Sequence, residues 1–441
     1  MSKYASVSAL IALLLLIGLG VHTRSLASSR SAPAPAISTA TDASRAVARL
    51  DSQIGVATRQ AEAHARSAAP LTRLAAFHVA RARLTGHYAD YLSAERALDQ
   101  AFERSGPAGG PHLARARLHF TLHRLDDARR ELELATPGLD INFHVAKLDA
   151  LRGEIALASG EYADARQALL RSEAVHATSE SAFRLGLLAE QTGAMGEADR
   201  LYAQAFERTP ASARQPRAAI LRRRGLLSLK RGRYDDAETL YRQSDELFSG
   251  DFRTLSRRAE LLALRGHVQE ALGILRRLAE ETDEPELMDA VADIYRARGN
   301  RRAAEPWFVR ASARYEERMA LLPEATLGHA LRHTLAGEDA GEALELARRN
   351  VALRPGGEER ILLAQALAKV GQLEQARSVL VEVAASPFQS AELFATQAVV
   401  LRALGEGRAA SAAQARAEAL RPDAMDQLAW LEQASGANSG H

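Results

Sequence analysis

The chain contains no cysteine. That excludes a disulfide framework, a thiolate zinc site, an iron–sulfur cluster and a cysteine nucleophile. Lysine is almost as scarce: Lys3, Lys147, Lys230 and Lys369 are the only four among 57 basic residues. None of them precedes Ser or Thr, so no Walker A loop can cradle a phosphate. No Gly-x-Ser-x-Gly elbow is present to carry a nucleophilic serine. Aromatic residues make up 5% of the chain, so its core must be built from Ala and Leu. Hydrophobic residues at 47% and charged residues at 25% are the balance of a folded protein. What the composition leaves is a chain with neither catalytic motif nor cofactor motif. No enzyme and no bound cofactor are expected of it.

The N-terminus has an address of its own. An apolar run of 13 residues, Ala9–Val21, follows a short segment carrying Lys3. Ser25-Leu26-Ala27 then sets small residues at the −3 and −1 positions of a signal-peptidase site. Residues 1–27 read as a secretory signal peptide. The run is short for a membrane span, but Arg24 and Arg30 blur the charge asymmetry, and an uncleaved anchor stays open. The expected location is the periplasm, with anchoring in the inner membrane as the alternative. A membrane enters the picture only if the segment stays on. Cleavage would remove Lys3 and Arg24 and no acid, taking the formal net charge from +2 to zero. A neutral chain gives no electrostatic case for nucleic acid. Residues 28–41, rich in Ser, Ala and Pro, read as a flexible linker.

Glycine carries the main signal. Gly160, Gly193, Gly232, Gly266, Gly299, Gly337, Gly371 and Gly405 recur at steps of 33 to 39 residues. Gly86 lies two steps before Gly160, and the skipped step falls at His123. Five residues beyond His123 and each glycine from Gly160 on, or six after Gly337, stands an alanine: Ala128, Ala165, Ala198, Ala237, Ala271, Ala304, Ala343, Ala376 and Ala410. A repeat held in phase at this period is one supersecondary unit stacked many times. Each glycine ends a first helix in a left-handed turn. Each alanine lets the second helix approach closely. Proline closes several units, as at Pro210, Pro355 and Pro422.

Residues 179–210 resemble a tetratricopeptide repeat (TPR), with Leu185-Gly186, Ala189, Gly193, Ala198, Tyr202, Ala205 and Pro210 at the family's signature positions. Residues 218–249 resemble it through Gly225, Gly232, Tyr234, Ala237 and Tyr241. The unit before carries Gly153, Gly160, Tyr162 and Ala165. Arg152 and Arg224 depart from the pattern, which prefers a large apolar residue there. The layout is similar to that of secreted bacterial TPR proteins. The resemblance implies an all-α fold: a right-handed solenoid of about ten helix–turn–helix units over residues 70–422. A capping helix is expected over 42–69, starting at Asp42 as its N-cap. A second is expected from Asp423 to Ala434, laid on the last unit by Leu428, Trp430 and Leu431, with a frayed tail to 441.

The resemblance further implies that the first helices line a concave groove. Projected onto this chain, the groove positions are Arg222, Lys230, Arg253, Glu260, Glu286, Asp289, Asp293 and Arg296. Those charges would face a protein or peptide partner, basic first and acidic one unit later. The expected function is a non-catalytic scaffold or assembly factor of the cell envelope, or a membrane-anchored periplasmic chaperone if the N-terminus is retained. A metal-binding accessory protein is the alternative, because His119 and His123, and His329 and His333, stand at i, i+4 on one helical face. Neither pair has the glutamate of a zincin. The competing reading is histidines that pack between helices or cap turns.

Overall fold

A computed structural model describes residues 40–135 and 141–428 of the protein. The segments read as signal peptide (1–27) and most of the linker (28–39) lie outside the described residues, as do Trp430 and Leu431.

The described residues form 21 α-helices and one short 3-10 turn, with no strand among them. Helix α1 (Asp42–Ala63) stands alone at the front. Ten antiparallel pairs follow. Units 1 to 3 are α2 (Ala69–Thr85) with α3 (Ala89–Ser105), α4 (His112–Thr121) with α5 (Leu125–Leu134), and α6 (Ile141–Ala158) with α7 (Tyr162–Val175). Units 4 to 6 are α8 (Ser179–Gln191) with α9 (Met195–Arg208), α10 (Arg214–Lys230) with α11 (Tyr234–Leu247), and α12 (Phe252–Leu264) with α13 (Val268–Thr282). Units 7 and 8 are α14 (Pro285–Ala297) with α15 (Arg301–Leu321), and α16 (Pro323–Ala336) with α17 (Ala340–Leu353). Units 9 and 10 are α18 (Gly357–Lys369) with α19 (Leu373–Ala385), and α20 (Ala391–Ala403) with α21 (Gly407–Leu420). This is a TPR-like α-solenoid.

Its turns work as the period implies. Gly160, Gly193, Gly232, Gly266, Gly299, Gly371 and Gly405 all take positive φ. At the skipped step His123 itself adopts φ 62°, so a histidine caps the turn where glycine is missing. Gly337 is the exception. Its φ is −83°, and Lys369 closes the end of α16 instead, its ammonium donating to the carbonyls of Leu335 at 2.6 Å and Gly337 at 2.5 Å. Asp339 then caps α17. The extra residue before Ala343 is the trace of that different turn.

The phased alanines are fully buried. In units 4 and 5 the close approach is two-sided. A Cβ on Gly186 would lie 2.6 Å from the Tyr202 ring, and one on Gly225 would lie 2.5 Å from the Tyr241 ring. Both tyrosines are wholly buried. Ala198→Leu and Ala237→Leu should therefore overpack these crossings and cost roughly 1–3 kcal/mol each. Denaturant unfolding of each variant against wild type measures this, and unchanged midpoints would refute the crossing geometry. The two departures from the family pattern are met by acids. Arg152 pairs with Asp149 at 3.2 Å, and Arg224 pairs with Asp199 at 2.8 Å.

The ends differ in detail from the sequence reading. Thr41, not Asp42, is the N-cap of α1: its side chain accepts from the Ser44 amide at 3.2 Å. Asp42 is the first helical residue and reaches across to Ser249 instead. At the other end only a 3-10 turn, Asp426–Leu428, falls within the described residues. Ala424 and Leu428 are buried there.

Candidate functional site

The coil closes on itself. Asp42 meets Ser249. Arg318 donates to the Gly86 carbonyl at 3.5 Å and lies 4.3 Å over the Tyr88 ring. Arg124 pairs with Glu324, and Arg354 approaches His123. Tyr162 packs on Phe388, and the Gln389 amide donates to the Gln191 carbonyl at 2.9 Å. The Tyr234 hydroxyl donates to Asp423 at 2.7 Å. These partners are about 190 to 230 residues apart, which is a step of about six units at a period near 34. Units 1 to 4 each touch the start or end of the unit six steps on, α1 touches the loop before unit 6, and unit 5 touches the segment that follows unit 10.

The left-handed glycines of the early units face this seam. Gly160 lies against Pro355, Gly193 against Gln389 and Gly232 against Pro422. Gly266, Gly299 and Gly405 in later units have open space where a Cβ would go. The difference follows from position, since no unit lies six steps beyond theirs.

Closure turns the concave groove into a lumen. A cavity of about 600 Å³ lies inside it, lined by residues of units 1, 2, 4, 5, 6, 7 and 8, mostly from first helices and turns, with Tyr91 and Arg318 from second helices. Its apolar wall includes Tyr88, Tyr91, Phe183 and Phe252. Its charged wall includes Arg222, Arg223, Arg253, Arg257 and Arg318 against Glu284 and Glu286. That size sits within the range of ligand sites, about 300–1,000 Å³.

Each charge is held from behind. Arg222 pairs with Asp251, which also receives Arg253 at 3.9 Å. Arg223 and Lys230 share the buried Glu190, each at 2.8 Å. Arg257 pairs with Glu260 at 2.7 Å. Arg318 lies 2.9 Å from Glu284 and 3.6 Å from Glu286. Burial and the neighbouring Glu286 push the Glu284 carboxyl up, against Arg318. For Glu286 burial acts upward as well, but His329 and Arg318 outweigh it and hold that carboxyl low.

Three of the eight projected groove residues line the cavity: Arg222, Arg253 and Glu286. The other five, Lys230, Glu260, Asp289, Asp293 and Arg296, are not among the residues that line it. Lys230 and Glu260 serve the ion pairs just described. Asp289 spends one oxygen on His333 at 2.7 Å and the other on the Tyr315 hydroxyl at 3.0 Å. Asp293 is buried at 2% exposure and pairs with Arg296 at 3.3 Å, while Arg296 stacks 4.1 Å over Phe308. Reversing either aspartate would disturb packing rather than steering. Arg222 of unit 5 and Glu286 of unit 7 line one cavity.

The second histidine pair is engaged by carboxylates, whereas in the first the buried Nδ1 of His119 has no hydrogen-bond partner among the described residues. His329 pairs with Glu286 at 2.9 Å. His333 uses both ring nitrogens, on Asp289 and on Ser312 at 2.8 Å. These are two rungs between α14 and α16. His123 is the turn cap already described. Among the described residues no three His, Asp or Glu side chains converge as metal ligands.

No family model matches the chain, and no curated protein matches it. Solved structures do. Yeast Tom70 aligns over 83% of this chain and 93% of its own at 14% identity, with a TM-score of 0.36. PilF of Pseudomonas aeruginosa aligns over 50% and 95% at 15% identity and a TM-score of 0.37. A monomeric mutant of IFIT1 solved with Gppp-AAAA aligns over 78% and 90% at 14% identity and a TM-score of 0.43. The resemblance is one of fold alone, to TPR-repeat structures.

Proposed function

We propose that this protein is a non-catalytic scaffold or assembly factor that holds an extended segment of a protein partner in the lumen of its coil. The observation that carries the reading is the cavity between the turns, where aromatic faces and charges of both signs converge from seven units. Mixed charge with aromatic walls suits a polypeptide, whose backbone is neutral and whose side chains vary. We place the protein in the bacterial cell envelope, either periplasmic or held by its N-terminal apolar run. The support is Ala9–Val21 followed by Ser25-Leu26-Ala27. Among the described residues no helix is long and apolar enough to cross a membrane.

The test is site-specific photo-crosslinking in envelope preparations of a native-like host. A photoreactive residue replaces Leu226 in the lumen or Glu197 on the exposed face of α9. The expected result is a crosslinked partner from position 226 and none from 197. Mass spectrometry of the same protein should find a mature N-terminus at Ser28. Crosslinks from 197 alone would move binding to the outer face, and an intact Met1 in membranes would favour the anchor.

A further inference from the structure

Positive charge is not evenly compensated around the lumen. Arg222 and Arg253 share one carboxylate, Asp251. That carboxylate also caps α12, accepting from the Arg253 amide at 3.2 Å. On the facing turn of the coil, Arg83 in α2 donates to the Thr121 hydroxyl at 3.0 Å. Neither Arg83 nor Arg117 of α4 has an ion pair among the described residues. Burial pushes the Arg117 guanidinium down, Glu154 opposes that, and Arg184 and Arg83 add like-charge repulsion. Tyr91 and Thr121 line the same cavity as Arg222 and Arg253. The Tyr91 hydroxyl is pushed up by burial, and the charges of Arg83 and Arg253 both act against that push. Arg253 of unit 6 and Tyr91 of unit 1 thus share the cavity wall, and Arg83 of unit 1 reaches its edge through Thr121, where the first turn of the coil meets the second.

We propose that this junction, formed by Arg83, Tyr91, Arg222 and Arg253, is an anion-binding site that takes the carboxylates of an acidic stretch of polypeptide. The proposal rests on the lumen reading above and names the chemistry of its occupant. Guanidinium forks match carboxylates in a bidentate geometry, and a phenol adds a neutral donor. Glu284 and Glu286 stand elsewhere on the same cavity wall. They repel a uniformly anionic strand such as a nucleic acid, whereas a polypeptide can place acidic residues at the arginines and neutral or basic ones beyond. An occupant held by Arg83 and Arg253 together would span both turns and hold the coil shut.

The probe is fluorescein-labelled hexaglutamate, titrated into the full chain by fluorescence anisotropy at low and moderate salt. Saturable binding that weakens with salt is expected. The double variant Arg83→Gln/Arg253→Gln should bind about tenfold more weakly, a loss of about 1.4 kcal/mol. Arg242→Gln should bind as wild type, because Arg242 pairs with Glu246 on an exposed face at 3.0 Å. Melting curves accompany each titration, and if the double variant is unstable, Arg83→Gln alone carries the test because Arg83 is exposed. No binding by wild type, equal binding by the double variant, or tighter binding of a single-stranded oligonucleotide of equal length would each overturn the proposal. A lumen crosslink that survives the double variant would leave the scaffold reading intact and remove this site. Hexaglutamate bound with the expected losses, but no partner crosslinked from position 226, would leave this site and remove the scaffold reading.

Discussion

Glu190→Ala is expected to cost roughly 3–5 kcal/mol, the range for breaking a buried pair by removing one partner. Glu190 is 3% exposed. It receives Lys230 and Arg223 at 2.8 Å and the Tyr202 hydroxyl at 2.9 Å. Burial by itself would raise its carboxyl. Lys230, then Arg223, then the hydrogen bonds outweigh that and hold it at about 2. A depression of that size from 4.5 corresponds to roughly 3 kcal/mol. The folded value lies below the unfolded one, so this stability is fully present above pH 4.5 and is lost as pH falls toward 2. Removing the carboxylate leaves two cations and a phenol in the space between α8, α9 and α10. Urea unfolding at pH 7 and at steps down to pH 3 measures the effect. The gap between wild type and Glu190→Ala should narrow as pH falls through that window. A constant gap would show that packing, not charge, sets the loss.

Gly193→Ala is expected to open the seam between the turns of the coil, and Gly266→Ala is expected not to. Both glycines take positive φ, 78° and 84°. Each substitution therefore carries the same backbone strain, of order 1 kcal/mol. Only Gly193 has a neighbour in the way: its Cβ would lie 2.8 Å from the Cβ of Gln389. A Cβ cannot rotate aside, so relief requires the two turns to separate. That breaks the bond from the Gln389 amide to the Gln191 carbonyl. Hydrogen exchange at Gln389 should accelerate in Gly193→Ala and stay slow in Gly266→Ala, and small-angle scattering should report a larger radius of gyration in the first alone. Identical behaviour of the two variants would mean that the seam does not hold the coil.

The units were legible in the sequence because their physics is local. A left-handed turn asks for glycine, a close crossing asks for alanine, and both recur at one period. His123 was readable as the skipped mark for the same reason. The exception at Gly337 was visible only as one extra residue, since its cause, Lys369, lies in the next unit. The site was much less legible. The groove positions carried over from the family found Arg222, Arg253 and Glu286. They also picked up Asp289 and Asp293, whose partners His333, Tyr315 and Arg296 consume them. Spacing along a helix shows which way a residue faces but not whether a neighbouring helix has already claimed its charge. Glu190 shows the converse: it stands as the one acid on an otherwise apolar or small-residue face (Phe183, Gly186, Leu187) and looks like a flaw there. In the structure it is the hub for two basic residues. Tyr88, Tyr91 and Arg83 gave no signal at all, because they join the site only through contacts some six units distant.

Those contacts also constrain how the gene can change. In an open solenoid a unit can be duplicated or deleted with little effect on the others, because each repeat touches only its neighbours. Here an added unit between Gly160 and Pro355, or between Gln191 and Gln389, would slide every later loop one place along the facing turn. Gly193 would then meet a loop not shaped for it. The closed coil thus imposes a counting rule on its own repeats. Length variation is tolerated inside a loop, as at Gly337, but not in the number of units between one turn and the next.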